Sequence, residues 1–339
     1  MKRAFLLRAL TIAVCALVAA FAPAKAQTLD QVSFGTNWVA EAEHGGFFQA
    51  VADGTYNKYG LDVTIVPGGP NNNNRILLIA GKIDFFMSAN SLQSFDAVTN
   101  NVPLVAVAAM FQKDPQVLLT HPDIKATKLE DLKPLTLLVS KEGMTTYFQW
   151  LKSEYGFSES KVKPYTFNPQ PFIVDKKSAM QGYVTSEPFA VEKAASFKPG
   201  IFLLADYGFN TYSTLIETRR DIVEKKPDLV QRFVDASIIG WYNYLYGDNA
   251  AANAMIKKLN PEMTDELLSY SIDKMKEYGI VDSGDSLKNG IGAMTDERMA
   301  SFFDKMVRAG VVRSDIDFRQ AYTLRFVNKG VGLDLRPKN

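Results

Sequence analysis

Cysteine and histidine are nearly absent: the 339 residues hold one cysteine, Cys15, and two histidines, His44 and His121, far apart in the chain. Zinc and iron–sulfur chemistry needs those side chains in clusters, so a metal site of that kind is not expected. Neither sign of charge dominates, with 38 lysines and arginines against 37 aspartates and glutamates. The basic excess that binding to a phosphate backbone draws on is missing, and nucleic acid is not expected as a partner. No apolar run reaches the roughly 20 residues that span a bilayer. There is no Gly-x-Ser-x-Gly elbow and no phosphate loop, and Gly330-Val331-Gly332 lacks the third glycine of a dinucleotide fingerprint. No cofactor is therefore expected. What is present is core material: 47% apolar and 22% charged residues are the proportions of a packed chain.

Residues 1–26 read as a secretory signal. Lys2 and Arg3 precede an apolar stretch over 10–22, and Ala24-Lys25-Ala26 is the small-x-small pattern of a cleavage site. Cys15 lies inside that stretch behind Val14, so lipid anchoring is not expected. Cleavage after Ala26 removes Lys2, Arg3, Arg8 and Lys25 and no acid, leaving a mildly acidic, cysteine-free protein that depends on its core for stability.

From Val32 onward, short apolar runs alternate with stretches of helical period. Strands are expected at 32–38, 61–66, 84–88 and 103–110, with helices at 45–59 and 75–80 between them and a forced turn at Pro67-Gly68-Gly69. A second set follows, with strands at 135–140, 162–167 and 200–206 and a helix at 145–155. After Arg219 the pattern becomes helical, and Val230, Phe233, Val234 and Trp241 share one face of a helix over 227–246. The alternation implies mostly parallel sheets. The fold class expected is α/β: two doubly wound lobes with a ligand cleft at the carboxyl ends of their strands, and a helical tail. Lobe I is expected to take 27–118 and 216–339, and lobe II 119–215.

The segment Asn37-Trp38-Val39-Ala40-Glu41-Ala42-Glu43-His44-Gly45-Gly46-Phe47-Phe48 follows the first strand, where such a lobe presents its ligand loop. With Tyr59-Gly60-Leu61-Asp62-Val63, Gly81-Lys82-Ile83-Asp84 and Ser186-Glu187-Pro188-Phe189, it resembles the exported substrate-binding proteins of ABC importers for sulfonates, nitrate and thiamine pyrimidine precursors, and most of all the aminopyrimidine binders. The resemblance implies a bilobed, monomeric periplasmic protein that hands a small planar heterocycle to a membrane permease. The same superfamily includes fungal enzymes that build the pyrimidine from their own histidine and pyridoxal phosphate. In their key places this chain has Ser88, Leu92 and the cysteine-free run Gly208-Phe209-Asn210-Thr211-Tyr212, so binding without catalysis is expected. Riboflavin, a sulfonate, nitrate or an aromatic carboxylate are the alternative ligands.

A flat, electron-poor ring asks for aromatic faces and a few directed polar groups. Trp38 offers a stacking face, or is a core residue at a strand end. Tyr147 and Tyr212 are opposing faces, or ordinary packing. Glu187 accepts from an exocyclic amine and a protonated ring nitrogen, or caps a helix. His44 aims a ring nitrogen into the cleft while Gly45 and Gly46 let backbone approach the ligand, or it packs. Asn37 and Asn90 bond ring nitrogens, or serve turns. Gly143 and Thr145 belong to a helix start whose amides take an anionic oxygen, or merely cap. Arg75 and Lys141 are the cations an anionic ligand would require. Glu41 and Glu43, two apart in a loop, read as solvated.

Overall fold

The computed structural model describes residues 28–69, 73–166 and 168–338; the expected signal and its cleavage site lie outside them. Among the described residues, ten strands form two five-stranded sheets. The first contains β1 (Asp30–Gly35), β2 (Leu61–Val66), β3 (Phe85–Asn90), β4 (Leu104–Phe111) and β10 (Ser213–Arg219), ordered β2-β1-β3-β10-β4. The second contains β5 (Gln116–Thr120), β6 (Thr136–Val139), β7 (Val162–Pro164), β8 (Ser178–Tyr183) and β9 (Gly200–Leu203), ordered β7-β6-β8-β5-β9. The two orders are the same pattern, each holding in fourth place the strand that follows a crossing between sheets, β10 or β5.

Four of the five strands in each sheet share one direction, as the alternation implies, and the fifth is reversed. β1 pairs in parallel with β2 and β3, and β6 with β7 and β8, but β10 and β5 run antiparallel to both their neighbours. The reason is geometric: β1, β3, β6 and β8 end at the cleft, whereas β5 and β10 begin there, immediately after the chain crosses between sheets. The lobe boundaries drawn at 118/119 and 215/216 fall within β5 and β10 themselves.

Several elements differ in extent from expectation. β1 stops at Gly35, and Asn37 and Trp38 lie in the following loop, where Thr36 Oγ1 and the Gly68 amide both donate to the Trp38 carbonyl, at 2.8 and 3.0 Å. The helix expected over 45–59 is two, Gly45–Ala52 and Thr55–Lys58. Gly54 breaks it at φ +71°, and Asp53 Oδ1 accepts from the Thr55 amide and hydroxyl at 2.9 and 2.6 Å. The strand expected over 200–206 ends at Leu203 in a 3-10 turn. β5, β8 and β10 were not anticipated at all. The long helix Pro227–Tyr246 has the bounds its period suggests.

The core is aromatic, and this long helix anchors it. Phe233 stacks on Phe85 with centroids 4.1 Å apart and on Tyr56 at 5.4 Å, while Trp241 stands edge-on to Phe47 and Phe111. Such rings contribute about 1.5–3 kcal/mol each by burial. Gly45 and Gly46 face this helix rather than a ligand: a Cβ at Gly46 would lie 2.2 Å from the Trp241 ring, and one at Gly45 2.0 Å from the Tyr244 ring. Across the crossing, a Cβ at Gly240 would meet the Gly46 carbonyl at 2.3 Å. Gly46→Ala is therefore expected to cost about 1–3 kcal/mol through overpacking, read as a lower midpoint in urea denaturation; an unchanged midpoint would mean the crossing is looser than described.

Candidate functional site

The carboxyl ends of the inner strands build a cavity where the two sheets meet. After β1 the loop supplies Asn37, Trp38, Glu41 and Glu43, and β3 ends in Ala89 and Asn90. After β6 come Ser140, Glu142 and Gly143, and β8 ends in Gln181, Gly182 and Tyr183, with Ser186 and Glu187 beyond. The crossings add Asp114 and Gln116 on one side and Phe209 and Thr214 on the other. Ligands sit outside strand carboxyl ends in sheets of this kind because helix starts and free backbone groups gather there. The inner cavity measures about 120 Å³ and opens into a larger groove of about 1090 Å³ that shares Trp38, Glu41, Glu142 and Glu187. An apolar cavity of about 150 Å³ holds one benzene ring, so the inner chamber is sized for a single ring.

Its chemistry is acidic. Glu41, Glu43, Asp114, Glu142 and Glu187 line it, and among the described residues no lysine or arginine does. Burial pushes the Glu43 carboxyl up to about 7, against the hydrogen bond it accepts from the Thr185 hydroxyl. Burial likewise pushes Asp114 up to about 7, although its Oδ1 accepts from the Gln116 amide at 2.9 Å. Glu41 rises well above the usual carboxylate range, through burial first and then the charges of Glu43 and Glu187. Among the described residues, no three His, Cys, Asp or Glu side chains come close enough to hold a metal ion.

Of the residues singled out in the sequence, Asn37, Trp38, Asn90, Gly143, Tyr147 and Glu187 line the inner cavity together. Glu187 opens the helix Glu187–Ala195; its Oε2 accepts from the Tyr183 amide at 2.7 Å and Ser186 Oγ at 2.6 Å, and burial raises its affinity for a proton. Tyr147 donates to Gln181 Oε1 at 2.8 Å, which also accepts from the Ser140 amide at 2.6 Å. Asn90 Oδ1 caps the helix Ser91–Thr99 through the Leu92 amide at 3.1 Å.

Three expected roles need correction. His44 is fully buried and absent from the cavity wall; its nearest carboxylate atom, Glu41 Oε1, stands 3.5 Å from Nε2, and burial lowers the ring's pKa to about 3, so it stays neutral. Tyr212 belongs to the second crossing: its hydroxyl donates to Asp285 at 2.5 Å and accepts from the Thr295 amide, with the Arg298 guanidinium 4.1 Å above its ring. The helix start at Gly143 is a cap, because its amide already donates to Ser140 Oγ at 3.0 Å; Thr145 faces only the outer groove. Arg75 is engaged by Glu217, Asp96 and the Gln93 carbonyl, and Lys141 lines the outer groove.

Glu41, Glu43 and Asp114 escaped sequence reasoning, as did Thr214, which lies at φ +49° on the cavity wall. A β-branched residue there is strained, and such strain gathers at functional sites. The lobes touch across the cleft: Glu43 accepts from Thr185, and Gln93 Nε2 donates to Glu142 at 3.3 Å. Arg298 ties both crossings, donating to the Gln112 carbonyl and to Asn210 Oδ1.

A family model described as NMT1/THI5 like matches residues 41–251. The riboflavin-binding protein RibY of Chloroflexus aurantiacus is 22% identical over 329 residues, 94% of this chain and 92% of that protein. The periplasmic aliphatic sulphonate binding protein SsuA of Escherichia coli superposes with a TM-score of 0.64 at 13% identity, over 86% of this chain and 91% of its own. The desulfurization enzyme DSZB superposes at 0.55 and 12% identity, over 88% of this chain and 97% of its own. The fold is therefore one that both binding proteins and an enzyme use.

Proposed function

Since the chain belongs to the NMT1/THI5-like family, we propose that it is a periplasmic solute-binding protein that captures a thiamine-related aminopyrimidine, of hydroxymethyl or formylamino type, and delivers it to an ABC permease. The observation that carries this reading is the single-ring chamber walled by Trp38 and Tyr147 and edged by carboxyl groups. Aromatic faces hold a flat ring, and acceptors match the amine and protonated ring nitrogen along its edge. Glu187 from the lobe built on residues 119–215 meets the ring held by residues 27–118 and 216–339, so the contact forms only as the lobes close. The chain is exported, cleaved after Ala26, and acts as a monomer.

A sulfonate or nitrate finds no cation in the inner chamber among the described residues and meets carboxylates instead. A three-ring flavin exceeds the inner chamber and would need the lobes parted. Catalysis is disfavoured because Ser88, Leu92 and Phe209 stand where the enzymes' lysine, histidine and cysteine-rich loop are expected, and Ser88 and Leu92 are buried. Calorimetric titration with 4-amino-5-hydroxymethyl-2-methylpyrimidine should give a dissociation constant of about micromolar or tighter, near −8 kcal/mol, with no heat from ethanesulfonate. Tight sulfonate or riboflavin binding with no pyrimidine heat would overturn the assignment.

A further inference from the structure

Resting on the reading of this cavity as the ligand site, we propose that its occupant binds as a monocation rich in N–H donors, an amidinium or aminopyrimidinium ring, and that Glu43 is the group that selects the charge. Carboxyl groups reach the chamber from both lobes and from the crossing between them: Glu43 and Glu41 after β1, Asp114 before β5, Glu187 after β8. A cluster of acids alone would say little. Here Glu43 is only 2% exposed, lines the chamber, and spends Oε1 on the Thr185 hydroxyl while Oε2 has no hydrogen-bond partner. Asn37 Oδ1 on the same wall is buried without a partner too. Buried acceptors left open call for a donor, and carboxylates without a cation call for positive charge.

Among the described residues, no lysine or arginine of the chamber wall supplies that charge. The titratable groups facing Glu43 are Glu41 on its own loop, Glu187 and Tyr183 from the other lobe, and Tyr244 from the long helix. His44 beside it is held neutral by burial. A metal ion is not the answer, since the described carboxyl groups do not converge closely enough to ligate one. Without ligand, burial favours the protonated forms of Glu41, Glu43 and Asp114, so that near pH 7 these sites are partly protonated. An arriving cation favours their ionised forms, so capture of a cation expels protons into solvent.

Benzamidine and benzamide test this, being alike in shape and one ring wide but differing in charge. In titrations of the full chain at pH 7, benzamidine should bind at least about tenfold more tightly than benzamide. Its heat should differ between phosphate and Tris in the sense of proton release. Glu43→Gln should reduce the preference about threefold or more, and Glu41→Gln serves if that variant does not fold. Equal affinity, a preference for benzamide, or no binding of either at millimolar concentration would overturn the proposal. If benzamidine is preferred while the hydroxymethylpyrimidine is ignored, the charge rule stands and the pyrimidine assignment falls. If the pyrimidine binds while the two benzene compounds are not distinguished, the charge rule alone falls.

Discussion

Trp38→Ala should lower the affinity for the proposed aminopyrimidine by about 10- to 100-fold, because a base stacked on an aromatic face gains about 1–3 kcal/mol from it. The loss should be one of binding and not of folding. Trp38 sits outside the buried aromatic core, and its loop is held through its backbone carbonyl by Thr36 and Gly68, a contact alanine keeps. Glu187→Gln should weaken the same ligand about tenfold, removing a charge-assisted bond of about 1.5–3 kcal/mol while keeping an acceptor for the Tyr183 amide or Ser186. Calorimetry reads both, and unchanged affinity in both variants would remove the site from this cleft.

Asp114→Asn should stabilise the empty protein above neutrality and leave it unchanged in acid. In the unfolded chain this carboxyl titrates near 3.8, and burial carries it up to about 7 in the fold. The folded state therefore holds the proton more tightly, and its stability declines as pH rises from about 4 through 7. A shift of that size corresponds to about 4 kcal/mol once the group is fully ionised. Asparagine carries no charge to desolvate and still accepts from the Gln116 amide. Thermal unfolding at pH 8 should show a midpoint raised by several degrees, at about 2–4 °C per kcal/mol, with the two curves drawing together as pH falls and coinciding only below the unfolded value of 3.8. A lower midpoint at pH 8 would mean that Asp114 is ionised and satisfied in the empty protein. The same variant should bind a cationic ring less well, so stability and function pull in opposite directions at this position.

How much of this was legible in the chain varied by element. Leu61 and Val63 alternate with Asp62 and Thr64, and β2 falls on 61–66 as read. The helical period carried by Val230, Phe233, Val234 and Trp241 likewise placed the long helix. β8 was illegible because Ser178-Ala179-Met180-Gln181-Gly182-Tyr183 is buried through most of its length without being apolar; Gln181 is inside because it must accept from Tyr147 and Ser140. β10 has the strained Thr214 at its second position and carries Glu217, a buried acid partnered by Arg75 and Ser94.

The candidate site divided along the same line. Trp38 was visible because it stands at the end of the expected first strand, at the place where α/β lobes hold ligands, and Glu187 because it lies in the segment Ser186-Glu187-Pro188-Phe189 that carries the resemblance. Glu41, Glu43 and Asp114 were not, since two acids in a loop and a Lys113-Asp114-Pro115 turn look solvated until the second lobe covers them. Tyr212 misled for the converse reason: an exposed-looking tyrosine in a polar loop became the post that Asp285, Thr295 and Arg298 brace at the crossing.

The most direct test is to isolate the protein under native conditions from the cells that make it, denature it, and identify the released small molecule by mass spectrometry. A one-ring nitrogen heterocycle bearing an amine, chemically unaltered, is the expected occupant. A sulfonate, a flavin or a converted product in its place would contradict an acid-walled, single-ring chamber that binds without reacting.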